Sequence, residues 1–173
     1  MSISVVESKT KSMRILGIDP GFGRMGYGIV EQRGSEWCCV EYGCIETDAK
    51  TTFLERLAEI HRELEKMIKE FKPSRMAVEE LFFFKNVTTA IQVAQARGVI
   101  LLTAIENSLS VDEFTPLQVK QAMTGYGRAE KGQMQRMVQT ILGMKEPIKS
   151  DDAADALAVA LCAGQTLWMQ RLK

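Results

Sequence analysis

Four acidic residues lie where their carboxylates could share metal ions. Asp19 and Glu79 each end an apolar run, whereas Asp152 and Asp155 open an apolar segment near the end of the chain. Carboxylate oxygens are hard ligands that suit Mg²⁺ or Mn²⁺ better than they suit zinc or iron. Two such ions held side by side are a known means of breaking phosphodiester bonds. The pattern therefore indicates a metal-dependent nuclease.

The elements that must position these residues are predicted from hydrophobic periodicity and turn residues. The pattern predicts five strands, at 13–19, 25–32, 36–46, 75–80 and 110–114. It predicts five helices, at 52–71, 87–106, 116–123, 130–142 and 151–168. Three strands followed by alternating helices and strands are typical of an α/β domain. We expect a mixed sheet, with an antiparallel meander and two further strands parallel to the first.

This topology gives a reason for the carboxylates to converge. If strand 75–80 pairs in parallel with strand 13–19, the two lie about 4.8 Å apart, and Asp19 and Glu79 meet at the carboxyl edge of the sheet. Asp152 and Asp155 are three residues apart and project from one helical face, so the start of that helix would complete the cluster. Like charges so close repel, so the arrangement predicts a bound metal or a raised pKa on at least one member.

The residues alone leave two assignments open. Asp151 and Asp155 form an i,i+4 pair that is as plausible locally as Asp152 and Asp155, and Glu80 could replace Glu79. Acidic residues in the first turn of a helix also complement its dipole, which is an ordinary structural role.

The length and composition of the chain restrict the kinds of protein that it can be. A chain of 173 residues, with 46% hydrophobic and 25% charged residues, fits one globular domain with a proper core. Its four cysteines form no CxxC pair, so we interpret them as reduced thiols of a cytoplasmic protein. The only histidine, His61, falls in an amphipathic helix, which disfavours a histidine-rich zinc site or a Ser-His-Asp triad.

The amino-terminal residues 1–12 are mostly polar and lack the apolar core of a secretory signal. We expect them to be a disordered extension, with residues 13–173 forming a single domain. Met13 is the first residue of the first predicted strand and is an alternative start of the protein.

The distribution of charge favours nucleic-acid binding more than the net charge of zero does. Residues 120–149 contain six basic and two acidic residues, a local charge of +4. Cations for a nucleic-acid backbone beside carboxylates for a metal are what a metal-dependent nuclease needs. A solvated helical face would explain the same charges.

Several short blocks, in order between about residues 13 and 160, resemble the RuvC Holliday junction resolvase family. The blocks are 18–21, 26–28, 77–79, 95–98, 118–121 and 152–158. The resemblance implies a ribonuclease H-like fold, which agrees with the predicted order of elements. It also implies cleavage of four-way DNA junctions, in recombination and repair, by paired nicks in strands of like polarity.

The resemblance implies which residues act. It assigns four catalytic, metal-ligating carboxylates: Asp19, Glu79, Asp152 and Asp155. It favours these over Asp151 and Glu80, and implies two Mg²⁺ ions per active site, with Mn²⁺ as a substitute. The expected products carry 5′-phosphate and 3′-hydroxyl ends.

The resemblance also suggests DNA contacts. Lys120 and Lys131 match basic positions that the family uses near DNA, and Arg128 is assigned a weaker contact to the backbone. Phe82 matches an aromatic residue that stacks on an unpaired base near the crossover. Solvated helical lysines and ordinary core packing of the aromatic ring are the structural alternatives.

A junction has two strands to nick symmetrically, so the resemblance implies a homodimer, and it implies the RuvA–RuvB branch-migration complex as a partner. Helix 87–106 is the candidate dimer face, with packing against the sheet as the alternative. Two rival functions stand beside this one. An ATP-binding protein of the actin and sugar-kinase class is suggested by residues 19–28, and another ribonuclease H-like nuclease would act on RNA–DNA hybrids or transposon ends.

Overall fold

A mixed five-stranded sheet forms the centre of the protein in a computed structural model, which describes residues 12–80 and 87–171. The strands are β1 (Arg14–Asp19), β2 (Arg24–Arg33), β3 (Glu36–Glu46), β4 (Arg75–Glu79) and β5 (Ser110–Phe114). Their order across the sheet is β3-β2-β1-β4-β5. The meander β1–β3 is antiparallel, and β4 pairs in parallel with both β1 and β5. The predicted α/β class and mixed sheet are confirmed.

Five helices flank this sheet. They are α1 (Phe53–Phe71), α2 (Val87–Glu106), α3 (Pro116–Thr124), α4 (Lys131–Ile141) and α5 (Asp151–Arg171). Two helix starts follow from local chemistry. Thr52 and Glu55 form a capping box at α1, and Thr115 caps α3 with proline at its first turn. Most predicted boundaries lie within one or two residues of those observed, but α5 continues three residues beyond its predicted end.

Each face of the sheet buries its own hydrophobic cluster, because alternate residues of a strand point to opposite faces. Ile15 of β1 packs in the cluster that contains α3, α4 and α5. Leu16, the next residue, packs in the cluster that contains α1 and α2. Helix α5 is the most deeply embedded element, with residues 156–163 all buried. No helix within the described residues is long and apolar enough to cross a membrane.

Glycines in β1 and β2 allow α5 to lie against the sheet. A β-carbon added at Gly17 would come within 2.0 Å of the carbonyl oxygen of Ala156, and one at Gly26 within 2.1 Å of the carbonyl oxygen of Asp152. Both contacts are to backbone atoms, which cannot move aside as a flexible side chain can. The absence of side chains at these two positions therefore sets how closely the start of α5 approaches the strand ends.

Candidate active site

Two of the predicted carboxylates lie side by side at the carboxyl edge of the sheet. Strands β1 and β4 are parallel, and Ile18 is in register with Val78. The next residue of each strand is Asp19 and Glu79, so the pairing predicted from sequence brings these two to one point. The carboxyl edge of such a sheet is the usual place for a ligand in α/β proteins.

The first turns of α5 bring Asp152 and Asp155 to the same edge, whereas Asp151 faces outward. The Asp151 side chain is 59% exposed and is held by Lys131 and Gln135. The Asp152 and Asp155 side chains are about 35% exposed, and the negative charge of each raises the pKa of Asp19. This geometry favours Asp152 over Asp151, the choice that the local sequence left open.

Burial and mutual repulsion raise the pKa values of the clustered carboxylates. Burial raises the pKa of Asp19 to about 8, with further increases from the charges of Glu79, Asp155 and Asp152. Burial and then the charge of Asp155 raise the pKa of Glu79 to about 7, against an opposing effect of Lys120. The pKa of Asp155 is also raised, chiefly by burial. A cluster of half-buried acids that repel one another is an electrostatic environment that a cation would relieve.

Cationic side chains neutralise part of this cluster. Arg24 Nε lies 2.8 Å from Asp152 Oδ2, and Lys131 Nζ lies 3.8 Å from Asp155 Oδ2. As the side chains stand, no three acidic, cysteine or histidine residues among 12–80 and 87–171 are grouped closely enough to hold one metal ion. Two of the four carboxylates face a cationic side chain instead.

The donor set fits a hard divalent cation. All four candidate ligands are carboxylates, which suit Mg²⁺ or Mn²⁺, and the raised pKa values of three of them come from burial and like charge. A divalent ion would bring the carboxylates together by replacing repulsion with attraction. The residues present therefore fit the metal that the sequence predicted.

A cavity of about 220 Å³ opens beside the carboxylates. Lys120 and Lys131 line it together with Glu79 and Asp155, and its remaining walls are mainly apolar. Both lysines predicted to contact DNA thus lie at the site. Arg128 is exposed in the connection between α3 and α4. The predicted base-stacking residue Phe82 lies outside the described residues.

Sequence reasoning missed Arg24, which makes the shortest ion pair to a predicted metal ligand. Arg24 begins β2, and its partner Asp152 lies near the other end of the chain. The residues around Arg24 carry no local signal for this pairing, because it arises only when α5 docks on the sheet.

Comparison with known proteins identifies the family of this chain. A family model described as crossover junction endodeoxyribonuclease RuvC matches residues 15–163. Crossover junction endodeoxyribonuclease RuvC of Desulfitobacterium hafniense is 56% identical over 150 residues, which cover 87% of this chain and 91% of the relative. The same enzyme of Moorella thermoacetica is 53% identical over 162 residues, covering 93% of this chain and 97% of the relative.

Solved structures give the same result. Thermus thermophilus RuvC in complex with Holliday junction substrate is 35% identical and superposes with a TM-score of 0.86, covering 91% of this chain and 96% of that one. The yeast mitochondrial Holliday junction resolvase Ydc2 is 14% identical with a TM-score of 0.62, covering 93% of this chain and 85% of that one, and shares the fold alone. By family model, sequence and structure, this chain belongs to the crossover junction endodeoxyribonuclease RuvC family.

Proposed function

We propose that this protein is a structure-specific endonuclease that resolves Holliday junctions in DNA recombination and repair. It introduces paired, symmetric nicks in strands of like polarity and leaves 5′-phosphate and 3′-hydroxyl ends. The observation that carries the proposal is the convergence of Asp19, Glu79, Asp152 and Asp155 on one sheet edge, in a chain whose relatives are crossover junction endodeoxyribonucleases.

The carboxylates and the lysines of the candidate site would have different roles. The four carboxylates would hold two Mg²⁺ ions, with Mn²⁺ as a substitute, and Lys120 and Lys131 would stabilise the phosphate charge from the wall of the cavity. The chemistry that these ions would supply is a lower pKa for the attacking water and charge stabilisation for the leaving 3′ oxygen.

The test is cleavage of a mobile synthetic four-way junction, with Mg²⁺ and with EDTA. We expect paired nicks that DNA ligase can seal, and none in EDTA. Asp152→Asn should bind the junction but fail to cut it. Preferred cleavage of RNA–DNA hybrids over junctions would contradict the proposal and favour the other ribonuclease H-like function, and saturable ATP binding without nuclease activity would favour the ATP-binding class.

The basic side chains at the cavity are expected to contact DNA phosphates. Each of Lys120→Ala and Lys131→Ala should weaken junction binding. Each should also make the negative slope of log K, the association constant, against log salt concentration less steep by about 1. Lys69→Ala is the matched control, since Lys69 lies on α1 and pairs with Glu65 on the opposite side of the sheet. Fluorescence anisotropy across a salt series checks this, and slopes unchanged from wild type would contradict the assignment.

Helix α2 carries an exposed apolar stripe that fits a homodimer interface. Ile91, Leu102 and Ile105 are 70%, 58% and 63% exposed, and Ala94 and Gly98 lie on the same side of the helix between them. The opposite side of α2 packs into the core, so packing against the sheet does not use the stripe. A second copy of α2 packed against the stripe would bury it.

Gly98 supports this interface independently. Glycine inside a helix costs about 1 kcal/mol relative to alanine, so its presence at the middle of α2 needs a reason. Apart from its chain neighbours and the backbone of its own helix, a β-carbon at Gly98 would meet no atom of the described residues within 4 Å. Close approach of a second helix backbone would supply the reason that the single chain lacks.

Ala94→Arg is expected to give a folded monomer, because it places a charge in the centre of the apolar stripe. Sedimentation velocity measures the mass, and circular dichroism measures the fold. Leu54→Arg is the control, since Leu54 is an exposed apolar residue on α1, outside the stripe. A dimeric Ala94→Arg variant would rule out this face. Association with RuvA–RuvB, a cytoplasmic location and base stacking by Phe82 stay predictions.

A further inference from the structure

Arg24 joins three elements at the active site through one guanidinium group. Its Nε lies 2.8 Å from Asp152 Oδ2 on α5. Its Nη2 donates hydrogen bonds to Ser150 Oγ at 2.9 Å and to Cys44 Sγ at 3.5 Å. The side chain that begins β2 therefore contacts β3, the residue before α5 and a predicted metal ligand.

Ser150 connects this network to the backbone of α5. Its carbonyl oxygen accepts a hydrogen bond from the Ala154 amide at 3.0 Å, and its hydroxyl lies 2.9 Å from Cys44 Sγ. Serine just before a helix commonly satisfies the free amides of the first turn. Arg24 thus reaches both the start of the helix and the carboxylate that the first turn presents.

A second carboxylate lies within reach of the same guanidinium. Glu46 Oε1 at the end of β3 is 3.7 Å from Arg24 Nε, farther than Asp152 but close enough to attract it. The Arg24 and Glu46 side chains are 49% and 70% exposed, so a change of partner meets little steric hindrance. Among the described residues Arg24 has two carboxylate partners, Asp152 and Glu46, and of these two Asp152 is the predicted metal ligand.

We propose that Arg24 acts as a counter-ion that occupies Asp152 in the metal-free protein and competes with divalent metal for it. Metal binding transfers Arg24 from Asp152 toward Glu46. The inference rests on the proposed metal-binding role of Asp152, and it assigns to Arg24 a role in metal affinity rather than direct contact with the reacting phosphate.

The size of the effect follows from the exposure of the pair. A partly exposed ion pair is weak, so the Arg24 guanidinium competes only modestly with metal for Asp152. Removing the guanidinium should therefore lower the dissociation constant for metal about fivefold. Arg24→Gln removes the charge and keeps a side chain that can donate to Ser150. Arg24→Lys keeps the charge and should bind metal within about twofold of wild type.

The experiment is an Mn²⁺ titration of the full chain without DNA, with free Mn²⁺ followed by electron paramagnetic resonance. We expect about fivefold tighter binding by Arg24→Gln and a lower Mg²⁺ midpoint for junction cleavage. The matched control is Arg56→Gln, which removes a positive charge beside Gly23. Its Nε donates to Thr47 Oγ1 at 2.7 Å, and no site carboxylate among the described residues forms an ion pair with it.

A second variant tests the exchange of partners with the opposite sign. Glu46→Gln removes the alternative partner, so Arg24 should stay on Asp152 and Mn²⁺ should bind more weakly. Weaker Mn²⁺ binding by Glu46→Gln can be measured even if Arg24→Gln folds poorly, and the exchange of partners requires it. Unchanged or weaker binding by folded Arg24→Gln, or equal tightening by Arg56→Gln, overturns the proposal.

The control for the metal site itself is Asp152→Asn. If wild type binds Mn²⁺ and Asp152→Asn binds it weakly, the metal site stands and the Arg24 variants alone decide the inference. If wild type binds no Mn²⁺, or Asp152→Asn binds it as tightly as wild type, the metal role of Asp152 fails and the inference about Arg24 is overturned with it.

Discussion

Asp19→Asn is expected to abolish junction cleavage and to make the metal-free protein more stable. Asp19 is half-buried beside three other carboxylates, and burial first and then their negative charges raise its pKa to about 8. Asparagine has a similar shape and no charge, so it removes both a metal ligand and a source of repulsion. Cleavage should fall by at least about 100-fold, since outer-shell changes around metals already cost 10- to 100-fold. Stability should rise by about 1–2 kcal/mol, or roughly 3–6 °C.

The stability difference should depend on pH in a definite direction. The Asp19 carboxyl group keeps its proton up to about pH 8 in the folded protein but loses it at about pH 4 when unfolded. The folded state therefore binds more protons in this window, and the metal-free wild type loses stability as the pH rises. The advantage of Asp19→Asn should widen from about pH 4 to about pH 8.

Thermal unfolding in EDTA across this pH range checks the prediction, and junction binding serves as the control for an intact DNA surface. Adding Mg²⁺ should raise the melting temperature of wild type more than that of Asp19→Asn, because only wild type has the full ligand set. A metal-free Asp19→Asn protein that is less stable than wild type at pH 8 would contradict the electrostatic account of the site.

Gly26→Ala is expected to impair both folding and cleavage, although glycine 26 carries no chemical group of its own. Gly26 is the cross-strand partner of Asp19, and its added β-carbon would lie 2.1 Å from the carbonyl oxygen of Asp152. The start of α5 would have to move away from the sheet. Overpacking of this kind costs about 1–3 kcal/mol. A displacement of roughly 1 Å in catalytic groups can lower the rate about 100-fold.

Gly132→Ala is the matched control for this substitution. Gly132 lies in α4, and its β-carbon would come no closer than 3.4 Å to Arg136 Nη1, so alanine should be neutral or stabilise the helix by up to about 1 kcal/mol. Chemical denaturation and single-turnover cleavage measure the two effects. Wild-type cleavage by Gly26→Ala would show that the approach of α5 to β2 does not position Asp152.

Local patterns in the sequence predicted the helices, the strands and most residues of the candidate site. Alternation and apolar runs marked all five strands, and the Thr52–Glu55 capping box and Pro116 located two helix starts. These signals are local, because a cap or an amphipathic face depends on neighbouring residues. Asp19 and Glu79 could be placed together from sequence because each directly follows a strand that the topology makes parallel.

The contact between the last helix and the first strands could not be predicted from local patterns, because it forms between distant segments. The choice of Asp152 over Asp151 depends on how α5 is rotated where it docks, and that rotation is set by backbone packing against Gly17 and Gly26. The ion pair of Arg24 with Asp152 arises from the same docking. The rotation of α5 and the Arg24–Asp152 ion pair leave no periodic pattern or characteristic spacing in the sequence. Both depend on contacts between distant segments, which form only when the core packs.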